Sequence, residues 1–180
     1  MCQPVLLHIF FSAAYDLKGI FNSLGGIMNI YQTHDYEIIA KLSQSVHDIH
    51  AKLYPDFFKE YQPHIIKAFF KSMINADNFA FFVAEDRLEP VGYAWIETRL
   101  YPETAFSKPL ASVYVHQLSV IETHRGKGFG SGLMKRIYSF AKNRNIHLVE
   151  LEYWTDNTPA KKFYQNQHFQ YSRESVFKRL

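Results

Sequence analysis

The chain has 180 residues, 47% of them hydrophobic and 17% aromatic, with a net charge of +3. That length and apolar content suit one folded domain with a sizeable core and exclude a disordered tail. The positive excess is mild and spread out, which argues against a nucleic-acid partner and leaves room for a polyanionic small ligand at one local spot.

Cys2 is the single cysteine, so neither an intrachain disulfide nor a cysteine-based zinc site can form. This fits a reducing compartment, and a cytoplasmic location is the expectation. No run approaches the ~20 apolar residues of a membrane helix, so no membrane partner is expected. Val5 to Ala14 faintly resembles a signal-peptide core, but no Lys or Arg precedes it and His8 interrupts it. Residues 1–27 therefore read as an apolar, dispensable arm, and the essential domain is expected to span 28–180.

From Asp35, apolar residues at Ile38, Ile39, Leu42, Val46 and Ile49 mark one face of an amphipathic helix that ends before Pro55. Pro63 opens a second helix, with Ile65, Ile66, Phe69, Phe70 and Met73 as its stripe. The period then changes. Phe79 to Ala84 and Val91 to Thr98 read as an antiparallel hairpin around the polar turn Glu85 to Pro90. A loop from Arg99 to Pro109 leads to a strand, Ser112 to Val120, then a glycine-rich turn and a helix carrying Leu133, Met134, Ile137, Phe140 and Ala141. His147 to Trp154 is the next strand. Thr158 at N-cap and Pro159 at N1 start a short helix. Phe169 to Tyr171 and Ser175 to Phe177 read as two closing strands. This order predicts an α/β fold, a mixed central sheet flanked by helices, with a parallel strand-helix-strand crossover in its middle.

The most informative stretch is Arg125-Gly126-Lys127-Gly128-Phe129-Gly130-Ser131-Gly132, between a strand and a helix. A helix N-terminus presents free N–H groups and partial positive charge, and glycines let the backbone curl around a ligand. Phosphate is the expected guest. An NTPase P-loop is excluded because Gly128, not Ser or Thr, follows Lys127. A dinucleotide fold is excluded because the glycines recur at every second position. Glu150 stands ~20 residues on, where a ribose-binding acid would sit, but inside a strand. One or two glycines would serve a plain tight turn; four, beside Arg125 and Lys127, favour phosphate.

Arg125-x-x-Gly128-x-Gly130 resembles the pyrophosphate-binding pattern [QR]-x-x-G-x-[GA] of the GNAT acetyltransferases. Leu118-Ser119-Val120 before the turn, Leu133-Met134 after it and Val91-Gly92-Tyr93-Ala94 upstream are similar to the family's surrounding segments. Asn157-Thr158-Pro159-Ala160-Lys161-Lys162-Phe163-Tyr164 resembles its N-x-x-A-x-x-F-Y helix. The likeness runs from about Phe79 to the C-terminus.

The resemblance implies a single-domain GNAT-like fold and an N-acetyltransferase that passes an acetyl group from acetyl-CoA directly to a primary amine of a small molecule or peptide, with no metal. It implies CoA contacts at Leu118, Ser119, Val120, Arg125, Gly126, Lys127, Gly128, Phe129, Gly130, Ser131, Asn157 and Tyr164. Tyr164 is the implied acid for the departing thiolate, its phenol staying protonated near a reference value of ~10. A packed Tyr beside Phe163 is the plainer alternative. His116 on the central strand is the candidate base, with Glu97 and water as rivals and a hydrogen-bonded sheet histidine as the alternative. The Val120 N–H is the implied oxyanion donor. Asn157 either touches CoA or caps its helix. Strict alternation puts Tyr114, His116, Leu118 and Val120 on one sheet face and Val115, Gln117 and Ser119 on the other. His47, His50, Tyr54, Asp56 and Phe57 lie where the acceptor would enter, with Tyr101, Glu103 and Trp154 as weaker candidates. His47 and His50 read as surface histidines. Many relatives are dimers, so a homodimer is one expected assembly. The competing function is a non-catalytic acetyl-CoA sensor.

Overall fold

A computed structural model describes residues 20–21 and 27–179. The apolar segment Val5 to Ala14 and Cys2 lie outside the described residues. Among the described residues six strands form one sheet in chain order: β1 (Ile20–Phe21), β2 (Ile27–Gln32), β3 (Phe79–Asp86), β4 (Glu89–Tyr101), β5 (Leu110–Val120) and β6 (Val149–Leu151). The β5–β6 pair is parallel and every other pair antiparallel, so the sheet is mixed. Helices α1 (Tyr36–Leu53), α2 (Pro63–Met73), α3 (Phe129–Asn143) and α4 (Thr158–Asn166) cover it.

Two apolar layers hold the sheet. On one face Phe81, Val83, Tyr93 and Trp95 meet Ile39, Ala40 and Leu42 of α1 and Phe70 of α2. On the other, Phe82, Val91, Ala94, Ile96, Val113 and Val115 meet Leu133, Met134, Ile137 and Phe140 of α3 and Tyr164 of α4. Removing such side chains from water is the main favourable term of folding. Local signals agree with these elements. The Asp35 carboxylate caps α1 by accepting from the N–H groups of Glu37 at 2.9 Å and Ile38 at 3.1 Å. Pro63 occupies the first turn of α2.

The structure differs from the sequence reading in several elements. Strand β2 was not predicted: with only Met28 and Ile30 as aliphatic residues on its inward face, its period-2 signal is too short to separate from the helix that follows. The predicted strand His147 to Trp154 shrinks to Val149–Leu151. The predicted closing strands at Phe169 to Tyr171 and Ser175 to Phe177 are not strands. β6 offers a short template, and this segment is tied by side chains instead, Tyr153 Oη donating to Tyr171 Oη at 2.9 Å and Arg179 pairing with Asp56 at 2.7 Å. Finally, Asn157 rather than Thr158 caps α4, its Oδ1 accepting from the Ala160 N–H at 3.2 Å.

Gly92 shows why the β4–β5 pair tolerates no side chain beside Ser119. A Cβ there would stand 2.8 Å from the Ser119 carbonyl oxygen and 3.1 Å from Val120 Cγ2. Gly92→Ala is expected to destabilise the fold by about 1–3 kcal/mol, the range for overpacking a close-packed interior. Thermal unfolding checks this, with a Tm lowered by several degrees as the expected result.

Candidate active site

The β4–β5 ladder carries a bulge at the centre of the sheet. Trp95 pairs with Gln117 and Ile96 with Val115, so His116 is the extra residue. The bulge overturns the strict alternation expected from sequence. Val113, Val115, Leu118 and Val120 all pack on the α3 side. Tyr114, His116, Gln117 and Ser119 face the other way: His116 stacks on Trp95 with centroids 4.2 Å apart, Tyr93 Oη donates to Gln117 Oε1 at 2.5 Å, and the Ser119 and Ser45 hydroxyls lie 3.1 Å apart. His116 and Val120 therefore lie on opposite faces.

The parallel β5–β6 ladder ends at Val115 and Leu151, whereas β5 continues to Val120. Beyond the bulge, among the described residues, one edge of β5 has no strand beside it. The Ile121 N–H donates to the Val91 carbonyl at 2.9 Å, toward β4. Backbone groups alternate along a strand, so the Val120 N–H points to the open edge. The Val120 carbonyl on that side accepts from Arg125 Nε at 3.0 Å, which ties the start of the glycine turn to the end of β5.

Within the turn the glycines divide by role. Gly126 at φ 76° and Gly128 at φ 93° take left-handed backbone that other residues rarely adopt. Gly128 is the N-cap of α3 and supplies no side-chain cap, so the first-turn N–H groups are left to another acceptor. Arg125 and Lys127 are exposed beside it. Gly130 and Gly132 serve packing. A Cβ on Gly130 would meet the Phe163 ring at 3.2 Å, and one on Gly132 would meet Ile30 Cδ1 at 2.7 Å. Phe129 is buried in the α3 layer, and Ser131 Oγ accepts from Gln167 Nε2 at 3.2 Å, joining α3 to α4.

Tyr164 is 9% exposed, packed against Tyr153, Phe163 and Phe169. Burial pushes its phenol well above the ordinary value, with Tyr138 adding to the shift. On the opposite face, His116 Nε2 lies 2.8 Å from Glu97 Oε2, which also accepts from Arg99 Nε at 2.8 Å. Burial lowers the His116 imidazole below its ordinary value, against the pull of Glu97. Burial alone would raise the Glu97 carboxyl, but the hydrogen bonds from Arg99 and His116 outweigh it and hold the group below its usual range. Trp95, Arg99 and the bulge were missed from sequence. Glu97 and Arg99 at alternate strand positions were the legible signal; a one-residue bulge leaves none.

The acceptor-side candidates separate. Tyr54, Phe57, Phe58 and Trp154 form an aromatic cluster, with Tyr54 and Trp154 centroids 4.2 Å apart. Asp56 pairs with Arg179, and Glu103 is exposed on the β4–β5 connection. His47 and His50 are half-buried: Nε2 of His47 contacts the Lys59 carbonyl at 2.7 Å, and the His50 ring lies 5.0 Å from Phe58. Burial, then His47, lowers the His50 imidazole. Tyr101 Oη is engaged with Glu150 at 2.6 Å. Among the described residues, no group of three or more His, Cys, Asp or Glu side chains is placed to hold a metal, and no helix is long and apolar enough to cross a membrane.

The family model described as the acetyltransferase (GNAT) family matches residues 44–169. The chain belongs to the GNAT family of acetyltransferases. An N-acetyltransferase of Methanocaldococcus jannaschii, itself uncharacterized, is 25% identical over 165 residues, covering 86% of this chain and 70% of that protein. The BH1408 protein of Bacillus halodurans superposes with a TM-score of 0.78 at 26% identity, covering 86% of this GNAT chain and 99% of the other. The aminoglycoside N-acetyltransferase AAC(6')-Iy, solved in complex with CoA, shares the fold with a TM-score of 0.66 at 18% identity, over 87% of this chain and 96% of that one. The GNAT assignment accounts for the mixed sheet, the glycine turn and α4 as parts of one architecture.

Proposed function

We propose that this chain transfers the acetyl group of acetyl-CoA directly to a primary amine of a small molecule or peptide. The observation that carries this reading is the uncapped N-terminus of α3 beside Arg125 and Lys127, set at the end of a strand whose edge is open. A pyrophosphate fits the first, and an extended pantetheine arm fits the second as a strand would. In this reading the backbone from Arg125 to Ser131 cradles the phosphates, with Gly126 and Gly128 making the curl. Leu118, Ser119 and Val120 flank the arm. The amide nitrogen of Asn157 is left for CoA once its oxygen caps α4.

The chain's own groups then divide the proton work. His116, kept neutral near pH 7 by burial, takes a proton from the ammonium directly or through water. The Val120 N–H on the open edge donates to the thioester oxygen as negative charge develops there. Tyr164, kept protonated by burial, gives its proton to the departing thiolate. Holding amine and thioester together supplies the rest of the rate gain. The carboxylates of Glu97 and Glu150 on the His116 side of the sheet favour a cationic acceptor.

One observation favours the second reading, a non-catalytic acetyl-CoA sensor: Tyr164 sits in the α3 layer as a packed side chain. Calorimetric titration of the protein with acetyl-CoA and CoA tests the ligand shared by both readings. One-to-one binding in the micromolar range is expected. An absence of heat at millimolar ligand contradicts both.

A further inference from the structure

Side chains from β3, β4 and β5 surround the His116 ring. Trp95 lies parallel to the imidazole, at 15° and 4.2 Å. Tyr114 meets it edge-on at 4.9 Å and Phe79 at 5.9 Å. These contacts set the plane of the ring. Within that plane, among the described residues, the hydrogen bond between Nε2 and Glu97 Oε2 at 2.8 Å defines the rotation. Glu97 is itself held from two sides, by Arg99 Nε at 2.8 Å and by Asn78 Nδ2 at 3.2 Å to its other oxygen. Arg99 in turn lies over the Tyr114 ring, 3.4 Å from its centroid.

We propose that Glu97 is a positioning residue, not the base: its carboxylate accepts a hydrogen bond from Nε2–H of neutral His116 and so leaves Nδ1 as the nitrogen that accepts the amine proton. A carboxylate only accepts hydrogen bonds, so a neutral imidazole facing it must carry its proton on the facing nitrogen. The inference rests on the reading of His116 as the base. It also explains why Glu97 is a poor base. Hydrogen bonds from Arg99 and His116 hold it ionised, and a carboxylate stabilised in this way is a weak proton acceptor.

The charged and titratable groups around the ring are Glu97 and Arg99 from β4 and Tyr114 from β5, with Glu150 and Glu152 acting on Tyr114 from the β6 side. Of these, Glu97 favours the protonated ring and Arg99 opposes it. Removing the Glu97 charge therefore lowers the His116 midpoint further, and restoring a carboxylate brings it back.

The test needs no acceptor. Protein labelled with ¹⁵N in the histidine rings is titrated by long-range ¹H–¹⁵N spectra, with His116 assigned by its loss in His116→Gln. Neutral His116 is expected to carry hydrogen on Nε2. Its midpoint is expected to fall by roughly one pH unit in Glu97→Gln, the lower end for loss of an adjacent opposite charge. Glu97→Asp is expected to recover part of that shift. Backbone amide spectra confirm that each variant is folded. A wild-type ring with hydrogen on Nδ1, or a midpoint unmoved in Glu97→Gln, overturns the proposal. Undiminished turnover in His116→Gln overturns the base reading instead, and would do so with these spectra unchanged. Where an acceptor is in hand, Glu97→Gln is expected to lower kcat, leave the Kd for acetyl-CoA unchanged and move the acidic limb of the pH–rate profile to lower pH.

Discussion

Gly128→Glu abolishes binding of CoA. Gly128 sits at φ 93°, ψ −7°, at the N-cap of α3. A residue with a Cβ is strained in that backbone, which costs on the order of 1–2 kcal/mol. The added carboxylate matters more. It stands at the partly positive end of a helix, where it caps the N–H groups that the proposed site reserves for phosphate. It also repels the pyrophosphate at close range. The three effects act together, so the expected loss is at least 1,000-fold in affinity, beyond detection by equilibrium dialysis with acetyl-CoA. Gly128→Ala isolates the backbone strain and is expected to lose far less. Unchanged affinity in Gly128→Glu removes the phosphate assignment.

Tyr164→Phe lowers turnover by about 100-fold, the lower end for loss of a positioned general acid, with little change in acetyl-CoA affinity. The ring is packed among Tyr153, Phe163 and Phe169, and Phe fills the same space. Stability is therefore expected to hold, which separates loss of the hydroxyl from loss of the fold. The steady-state split between kcat and KM is the measurement. If kcat is unchanged, another group or water protonates the thiolate, and Tyr164 is a packing residue. The pH dependence has a fixed sign. His116 must be neutral to act as base, and burial holds its midpoint below the ordinary histidine value. Activity is expected to rise with pH through that lowered midpoint and to be level by pH 7. Tyr164, raised by burial, sets a basic limb only far above neutrality.

Most of the architecture was legible because long periodic segments declare themselves. The stripe from Ile38 to Ile49 became α1, and the run from Leu133 to Ala141 became α3. The glycine turn was legible as chemistry, yet two of its four glycines answer to packing. Gly130 and Gly132 make room for Phe163 and for the side chains of β2, contacts between segments far apart in the chain. The facing of β5 was misread for a related reason. Alternation assumes an unbroken ladder, and the extra residue at His116 shifts everything beyond it. That shift parts His116 from Leu118 and Val120 and brings Gln117 and Ser119 to its face, and the pairing partner that reveals it lies on β4, outside any local window. The C-terminal segment had strand-forming residues but only a three-residue neighbour to pair with.

Acetyl transfer itself is the most direct test of the proposed enzyme. Purified protein with acetyl-CoA is presented with a panel of amines, cationic small molecules and peptides among them, and free thiol is followed with time. Catalytic thiol release with one class of amine, lost in His116→Gln, is the predicted result. Tight binding of acetyl-CoA with no thiol released by any amine contradicts the enzyme reading and leaves the sensor.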